Sequence, residues 1–336
     1  ETGLVIGKFS PLHKGHERVI EIAQKRCSQV ILLSWSDPEF DGCDPDTRSS
    51  WLRAVFPGCI SIVIGSQDSL RYGFGHPPAN DATDAIQRAY TAQIIEKGNL
   101  PVPDAVFTSE SYGLGLASSL QDAFARSVSH VSVDPDRTKV PVSGTSIRTD
   151  IHQHRSFLSP IVYASFVQSI CFVGAESTGK STLSQRLADD LQTRRVEEYG
   201  RTLWVERNGK LDFEDYLHIA QTHIAMEEQA KQEATEFIFV DTTPLTTLFY
   251  SHEHTGRVDP DLEALANRAY DFTFLCVPDF PMVQDGWRGE ESFRQGQHEW
   301  YLRELKARGI EYVPLTGSFE EKVTKVKEVL GVVLPI

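Results

Sequence analysis

Short apolar segments alternate with longer amphipathic segments along the chain, in two successive series. In the first half, the apolar segments predict β-strands at Leu4–Ile6, Val30–Ser34, Ile60–Ile64, Ala105–Thr108 and His130–Val133. Between the first two, His16–Arg26 carries its apolar residues at three-to-four-residue spacing, which is typical of an α-helix with one buried face. The first half is therefore a strand–helix–strand series.

The second half repeats this pattern. Its apolar segments predict strands at Ser169–Val173, Arg195–Glu198, Phe237–Asp241, Phe272–Val277 and Glu311–Leu315. The segment Phe213–Gln232 has apolar residues at helical spacing and predicts a long amphipathic helix. A further helix is expected at Gln297–Ala307, after a loop.

Strands that alternate with helices predict parallel sheets covered by helices on both faces. We therefore expect an α/β protein of two doubly wound parallel-sheet domains, with a ligand site at the carboxyl edge of each sheet. The join is expected within residues 156–168, which places the first domain at residues 1–163 and the second at residues 164–336.

Composition narrows the class of protein. The chain has 336 residues, 40% hydrophobic and 24% charged, with a net charge of −14. An acidic chain is poorly suited to coating nucleic acid, and no apolar run is long enough to span a bilayer. The five cysteines are widely spaced and include no C-x-x-C pair. Reduced thiols and a cytoplasmic location are therefore expected, without a zinc site.

The first candidate site follows the first strand, in the segment Gly7-Lys8-Phe9-Ser10-Pro11-Leu12-His13-Lys14-Gly15-His16. Glycines let the backbone approach a ligand, and the helix that begins near Gly15 offers free N–H groups to phosphate. Two imidazoles and a lysine add donors and positive charge. The alternative is a surface turn with two incidental histidines, but the whole string arises by chance in on the order of a few chains in a million.

A second segment of the first domain has matching chemistry. In Ser143-Gly144-Thr145-Ser146-Ile147-Arg148, we expect Thr145 or Ser146 to cap a helix whose N–H groups face phosphates, while Arg148 neutralises them. Together the two segments resemble the motifs of the H-x-G-H nucleotidylyltransferases, which have a Rossmann-like fold. The resemblance implies catalytic roles for Lys8, His13, His16 and Arg148. It also implies ATP contacts at Gly7, Phe9, Gly15, Thr145 and Ser146.

The second domain opens with a phosphate-binding loop. The predicted strand Ser169–Val173 leads into Gly174-Ala175-Glu176-Ser177-Thr178-Gly179-Lys180-Ser181, which is the pattern G-x-x-x-x-G-K-S. Backbone N–H groups of such a loop surround a phosphate, Lys180 reaches the β- and γ-phosphates, and the Ser181 hydroxyl binds Mg²⁺. The expected ATP-binding residues are Gly174, Glu176, Ser177, Thr178, Gly179, Lys180, Ser181 and Thr182.

Three further residues complete a predicted kinase. Asp241 ends a strand and is expected to act with Ser181 at Mg²⁺. Glu198 also ends a predicted strand and is expected to be the base or to anchor the substrate. Arg288, followed by Arg294, lies in a predicted loop that would close over ATP. A surface salt bridge is the competing interpretation of each, most of all for Arg294.

An H-x-G-H domain followed by a P-loop kinase domain resembles the NadR family of bifunctional nicotinamide-nucleotide adenylyltransferases and ribosylnicotinamide kinases. The resemblance spans the chain and includes Asp134–Arg137, Glu198–Arg201 and Asp285–Arg288. It implies that ATP phosphorylates nicotinamide riboside to NMN with Mg²⁺, and that a second ATP adenylates NMN to NAD and pyrophosphate. The implied substrate-binding residues are Arg48, Trp51, Glu198, Tyr199, Arg201 and Asp285.

The resemblance also implies a functional link to a riboside transporter, and it leaves room for a homo-oligomer. Some relatives carry an N-terminal helix-turn-helix domain, for which we expect no counterpart here and hence no DNA binding. Two positions depart from the family pattern, where Thr243 and Gln284 replace acids. Fewer carboxylates near a cationic nicotinamide ring predict an active kinase with a raised KM.

Two other interpretations stay open from the residues alone. One is an adenylyltransferase for another phosphorylated substrate, such as phosphopantetheine, fused to a different small-molecule kinase. The other is a pyridine-nucleotide sensor. Retention of His13, His16, Lys180 and Ser181 favours turnover over sensing.

Overall fold

A computed structural model describes residues 1–65, 73–279 and 291–332. The chain divides into two compact units, Glu1–Phe166 and Val167–Ile336. Each unit holds one five-stranded sheet whose neighbouring strands are all parallel. The predicted α/β class with two parallel sheets is confirmed. The chain passes from one unit to the other inside the segment 156–168, and the limits of domains 1–163 and 164–336 stay a prediction.

The first sheet places the H-x-G-H segment at the point where its strand order reverses. Its strands are β1 (Thr2–Ile6), β2 (Gln29–Trp35), β3 (Ile60–Ile64), β4 (Ala105–Thr108) and β5 (Ser129–Ser132). They lie in the order β3-β2-β1-β4-β5. The chain moves outward from β1 to β3 and then returns to the other side of β1. Loops that follow β1 and β4 therefore diverge and leave a crevice at the carboxyl edge.

Helices cover both faces of this sheet. They are α1 (Lys14–Arg26), α2 (Pro45–Val55), α3 (Asp84–Lys97), α4 (Tyr112–Phe124), α5 (Gly144–Thr149) and α6 (Pro160–Tyr163), with 3₁₀ turns at Arg155–Phe157 and Ala164–Phe166. Leu4, Leu33 and Val106 of three adjacent strands are fully buried and pack in one core with Leu116 and Leu120 of α4. This core makes the carboxyl edge a rigid base for the loops.

The second sheet has its own reversal, at β6. Its strands are β6 (Gln168–Val173), β7 (Arg194–Val196), β8 (Phe237–Asp241), β9 (Phe272–Cys276) and β10 (Val313–Leu315), in the order β10-β9-β6-β8-β7. Phe172, Phe239 and Phe274 of the three central strands stack, with ring centroids 5.7 and 6.2 Å apart. The phosphate-binding loop follows β6 and Asp241 ends the neighbouring β8, so the topology brings both to one edge.

The helices of the second unit are α7 (Lys180–Asp190), α8 (Tyr199–Glu206), α9 (Phe213–Glu233), α10 (Pro244–Thr255), α11 (Pro260–Leu265), α12 (Glu291–Ala307) and α13 (Phe319–Val329). The long helix predicted at 213–232 is confirmed by α9. Two local predictions are wrong. Strand β7 ends at Val196, so Glu198 is the N-cap residue of α8 and not a strand residue. Helix α12 starts six residues before its predicted start, which places Arg294 in a helix and not in a loop.

Two properties of the described residues bear on the class of protein. Across 1–65, 73–279 and 291–332, no helix is both long enough and apolar enough to cross a membrane. All five cysteines have free thiols.

Candidate active sites

The loop after β1 is folded around a buried phenylalanine. Phe9 is fully buried and has a positive φ of 47°. A Cβ atom at Gly7 would lie 2.8 Å from its ring, which is closer than carbon atoms pack. Glycine at position 7 therefore lets the loop turn back over this ring, and Phe9 acts on the site as a support beneath the loop.

The two histidines of the H-x-G-H segment form one stacked unit. His13 is the N-cap residue of α1, and its Nδ1 accepts hydrogen bonds from the N–H groups of Gly15, at 3.1 Å, and His16, at 3.4 Å. The His16 ring stacks on the His13 ring with centroids 3.7 Å apart. A Cβ at Gly15 would lie 2.9 Å from the His13 ring. In H-x-G-H, the first histidine caps the helix, and the glycine leaves room for the ring of that histidine.

Burial makes both imidazoles neutral at pH 7. Burial, together with the positive charge of Arg137, lowers the pKa of His13 to about 4. Burial also holds the pKa of His16 well below its usual value, with added repulsion from His13 and Arg137. Because the His13 Nδ1 accepts hydrogen bonds, its neutral ring carries the proton on Nε2. The pair therefore offers hydrogen-bond donors, and positive charge must come from other side chains.

Arg148 and Lys8, from the two predicted segments, supply that positive charge, and both lie next to the Phe40 ring. The Arg148 guanidinium lies 3.9 Å from the Phe40 ring centroid, donates to the Ser10 carbonyl and donates to Thr145 Oγ1 at 3.2 Å. Lys8 Nζ lies 5.9 Å from the same ring. Two cations of the predicted set therefore converge on one aromatic side chain at the loop.

The cap of α5 differs from the prediction. Ser143 is the N-cap residue and accepts from the Ser146 N–H at 3.1 Å, while Ser146 Oγ accepts from the Ser143 N–H at 3.1 Å. The prediction that Thr145 or Ser146 caps the helix is therefore wrong. In a capping box the N-cap residue lies three residues before its partner, which here makes Ser143 the cap and Ser146 the partner. Ser146 nonetheless lies in the first turn.

The two predicted segments of the first unit meet at an open pocket. The pocket is lined by His13, Gly15, His16, Arg18, Ser109, Glu110, Val133, Asp134, Arg137, Val140, Val142, Ser143 and Gly144. Arg137 pairs with Glu110 at 3.2 Å, and its sequence position alone does not indicate a role at this pocket. Its only sequence signal was its place in the Asp134–Arg137 family segment.

Arg48 and Trp51 are buried in the first unit. Arg48 is fully buried and donates to both Glu39 carboxylate oxygens, at 2.7 and 2.8 Å, to Ser34 Oγ at 2.7 Å and to the Lys8 carbonyl at 3.2 Å. Trp51 is 1% exposed and donates to Ser165 Oγ. Arg48 therefore positions the loop that carries Lys8, and contact of either residue with a substrate stays a prediction.

The phosphate-binding loop of the second unit depends on two glycines. Gly174 has φ +137°, and a Cβ there would lie 2.6 Å from the Cys276 carbonyl oxygen of β9. Gly179 has φ +83° and precedes α7. Lys180 Nζ donates to the carbonyls of Gly174 and Ala175, both at 2.8 Å. The ammonium group is thus bound to two carbonyl oxygens of the loop, and we expect it to bind phosphate instead when a nucleotide is present.

The rest of the loop is anchored from within. Thr178 is buried and donates to the Ala175 carbonyl at 2.8 Å. Ser177 holds a positive φ of 57°. Ser181 and Thr182 are exposed in the first turn of α7. Because Ser181 is exposed, its hydroxyl is accessible to a metal–phosphate complex.

Asp241 has the properties of a Mg²⁺-linked carboxylate. It is 1% exposed, and its Oδ2 accepts from Arg195 at 2.8 Å. Its Oδ1 is buried and has no hydrogen-bond partner in the described part of the chain. The described residues contain no cluster of three histidine, cysteine or acidic side chains able to hold a metal. The buried Asp241 Oδ1 suits Mg²⁺, which usually takes one or two protein oxygens beside phosphates and water.

Glu198 has the raised pKa of a candidate base. Burial raises the pKa of its carboxyl, and the negative charge of Asp241 adds to this, while Lys180 opposes it. The position at the N-terminus of α8 puts it at the same sheet edge as Asp241. Beyond it in α8, Tyr199 lies with its hydroxyl 3.4 Å from His218 Nε2, and Arg201 is exposed.

A hydrogen-bonded cluster that the sequence did not reveal holds the loop from the side of α12. Gln297 accepts from the Glu176 N–H at 2.8 Å, and Tyr250 donates to the Glu176 carboxylate at 2.8 Å. Arg294 is 1% exposed, pairs with Glu291 at 3.3 Å and donates to the Ser177 carbonyl at 3.4 Å. Arg294 therefore supports the loop instead of sweeping over it. Arg288, Asp285 and Gln284 lie outside the described residues.

Thr243, one of the departures from the family pattern, is 4% exposed at the N-cap of α10. It lines a small pocket with Cys171, Arg268 and Tyr270. The effect of its missing carboxylate on the riboside KM stays a prediction.

The chain is similar to known proteins over its full length. It is 30% identical to the trifunctional NAD biosynthesis/regulator protein NadR of Salmonella typhimurium and 29% identical to that of Escherichia coli, covering in each case 98% of this chain and 83% of the relative. Residues 169–322 match a family described as an AAA domain.

Solved structures show the same fold. A crystal structure of a NadR protein in complex with NR superposes with a TM-score of 0.72 at 21% identity, covering 100% of this chain and 97% of that one. A NadR structure with NAD and AMP-PNP gives 0.69 at 20% identity, covering 100% and 98%.

Proposed function

Because the chain belongs to the NadR family of NAD-biosynthesis proteins, we propose that it performs two consecutive ATP-dependent reactions on pyridine nucleotides. The second unit phosphorylates the 5′-hydroxyl of nicotinamide riboside and releases ADP and NMN. The first unit joins NMN to the AMP part of a second ATP and releases pyrophosphate and NAD.

In the kinase step, Glu198 accepts the proton of the riboside hydroxyl as its oxygen attacks the γ-phosphorus, and ADP leaves. The raised pKa of Glu198 supports this role, because a base works best when its pKa approaches the operating pH. The loop N–H groups and Lys180 hold the phosphates. Ser181 and Asp241 are the residues that would hold Mg²⁺, which when bound neutralises charge on the β- and γ-phosphates.

In the adenylyl step, a phosphate oxygen of NMN attacks the α-phosphorus of ATP, and pyrophosphate leaves. No proton needs to move, so the site needs donors and charge rather than a base. Neutral His13 and His16 donate hydrogen bonds to the phosphates. Arg148 and Lys8 neutralise the charge that builds up on the leaving pyrophosphate.

The observation that carries this proposal is that each sheet has a separate phosphate-handling segment at its own strand-order reversal. Incubation with nicotinamide riboside and Mg-ATP, followed by mass spectrometry, tests it directly. We expect the masses of NMN and NAD, with ADP equal to the sum of NMN and NAD and pyrophosphate equal to NAD. Phosphopantetheine serves as the competing acceptor. Adenylation of phosphopantetheine but not of NMN would contradict the proposal.

A further inference from the structure

Arg195 connects the two residues proposed to hold Mg²⁺. It lies on β7, and its side chain is 15% exposed. Its Nη2 donates to Asp241 Oδ2 at 2.8 Å, and its Nε donates to Ser184 Oγ at 2.9 Å. Ser184 is fully buried in α7 and donates in turn to the Ser181 carbonyl at 3.1 Å. A continuous chain of hydrogen bonds thus runs from Asp241 through Arg195 and Ser184 to Ser181.

This chain of bonds fixes one side of the Asp241 carboxylate and leaves the other side unused. Oδ2 is held by the guanidinium, while Oδ1 is buried with no partner in the described residues. A carboxylate held through one oxygen cannot turn about its last bond without losing that hydrogen bond. The planar, forked guanidinium suits this task, because it donates in two fixed directions at once.

We propose that Arg195 is a positioning residue that orients Asp241 Oδ1 and the first turn of α7 for the magnesium–nucleotide complex. This inference rests on the proposed kinase function of the second unit. Residues that orient a metal ligand typically change metal affinity by about 10- to 100-fold when they are replaced.

The positive charge of Arg195 acts in the opposite direction, since a cation beside Asp241 repels Mg²⁺. Two observations favour orientation as the dominant effect. Arg195 also bonds Ser184, which a mere counter-charge would not need. Removing it would leave both oxygens of a carboxylate that is 1% exposed without a partner, so the side chain would lose its fixed direction.

The test measures ADP binding to the full-length protein by calorimetry, in excess Mg²⁺ and in EDTA. We expect Arg195→Gln to weaken binding about 10- to 100-fold in Mg²⁺ and to leave binding in EDTA nearly unchanged. The Mg²⁺ concentration for half-maximal kinase rate should rise by the same factor, while kcat at saturating Mg²⁺ recovers. Arg195→Lys keeps the positive charge but lacks the planar, forked guanidinium, so we expect it to restore Mg²⁺-dependent ADP binding only in part.

Arg194→Gln is the matched control, because Arg194 is on the same strand but its side chain is 56% exposed and pairs with Glu233. Adenylyl transfer by the same chain reports on folding of each variant. Ser184→Ala removes only the link to α7 and should give a smaller loss of Mg²⁺-dependent binding.

Three results would overturn the inference. Tighter Mg²⁺-dependent binding in Arg195→Gln would show that charge repulsion dominates. An equal loss with and without Mg²⁺ would show a general structural role, and complete rescue by lysine would show that the fork is unnecessary. Because ADP binding needs no riboside, a wild-type chain that fails to phosphorylate nicotinamide riboside would disprove the proposed substrate and leave this test intact.

Discussion

At the scale of single residues, burial decides what the two histidines of the first site can do. His13 is 5% exposed and stacks on His16, so neither ring is charged at neutral pH. The site therefore separates two tasks between different side chains. In the proposed adenylyl transfer, the histidines donate hydrogen bonds, while Lys8 and Arg148 carry charge.

Replacing His16 by alanine should reduce NAD formation from NMN by about 10²- to 10³-fold, because one positioned donor to the phosphates is lost. Phosphorylation of nicotinamide riboside should be unchanged, since His16 belongs to the first unit. Both rates are measured on one preparation. His76→Ala is the control, because the His76 side chain is 64% exposed. Undiminished adenylyl transfer in the folded His16 variant would remove His16 from the site.

The lowered pKa of His13 also predicts a pH dependence of stability. Above pH 6.5 the ring is neutral in both folded and unfolded chains. As the pH falls from 6.5 towards 4, the unfolded chain binds a proton that the folded chain excludes, so the free energy of unfolding decreases. The loss is complete below pH 4 and is on the order of 3 kcal/mol.

His13→Asn tests this loss, because asparagine keeps an N-cap acceptor but does not titrate. Urea unfolding is followed at pH 7.5 and at pH 4.5. The variant should lose less stability than the wild type between the two values. An identical loss would mean that His13 ionises freely in the folded protein.

Glu198 should set the acid limb of the kinase reaction. A general base must be ionised to accept a proton, and the pKa of Glu198 is raised above the usual value of a glutamate. As the pH is lowered, kcat/KM should therefore begin to fall at a higher pH than it would with an ordinary glutamate as the base. Glu198→Gln should lower kcat by about 10²- to 10⁴-fold and abolish this limb. Glu206→Gln, an exposed position in the same helix, is the control. An unchanged profile in Glu198→Gln would assign the base elsewhere.

At the scale of elements, the loop between β6 and α7 is held by its neighbours as much as by its own sequence. β9 approaches it at Gly174, and α12 contacts it through Arg294 and Gln297. The early start of α12 follows from these contacts, because Arg294 is anchored to both Glu291 and the loop.

Gly174→Ala should therefore damage the second unit. The added Cβ would meet a backbone carbonyl oxygen at 2.6 Å in a conformation that favours glycine, and strain of this kind costs about 1–3 kcal/mol or more. ATP binding and riboside phosphorylation should fall together. In Gly296→Ala, where a Cβ in α12 meets nothing within 4 Å, stability should rise by about 0.5–1 kcal/mol. Thermal unfolding compares the two, and equal effects would contradict this account.

At the scale of the whole molecule, each unit has its own buried core and its own candidate phosphate-binding loop. The two reactions should therefore be separable by substitution. Loss of the Lys180 charge at the β- and γ-phosphates should remove kinase activity and spare adenylyl transfer.

Mixing two full-length variants tests this separation. His16→Ala alone and Lys180→Ala alone should each convert nicotinamide riboside to NAD far more slowly than the wild type. Together they should form NAD after a lag, because NMN made by the first variant must reach the second through solution. The lag should shorten as protein concentration rises, as followed by chromatography. A mixture that stays inactive, although each variant keeps its one expected reaction, would argue against independent sites.

Much of this organisation could be predicted from local sequence. Apolar strands and amphipathic helices are coded by neighbouring residues, so the two parallel sheets followed from periodicity alone. The two phosphate-handling segments are also continuous in sequence. The predictions from sequence were wrong where a short element depends on its surroundings. The two cases are the helix cap, which is Ser143, and the end of strand β7, which is Val196.

The side chains that support those segments come from distant parts of the chain. Arg195 reaches Asp241 across 46 positions, Tyr250 reaches Glu176 across 74, and Gln297 reaches the Glu176 N–H across 121. No local pattern encodes such pairs. The charge of His13 and His16 likewise depends on burial, because removal of water disfavours the protonated ring. Local sequence was sufficient to locate the two candidate phosphate-binding segments, because each is a contiguous motif. How those segments are held, and whether their histidines are charged, follows from contacts between residues that are far apart in the chain.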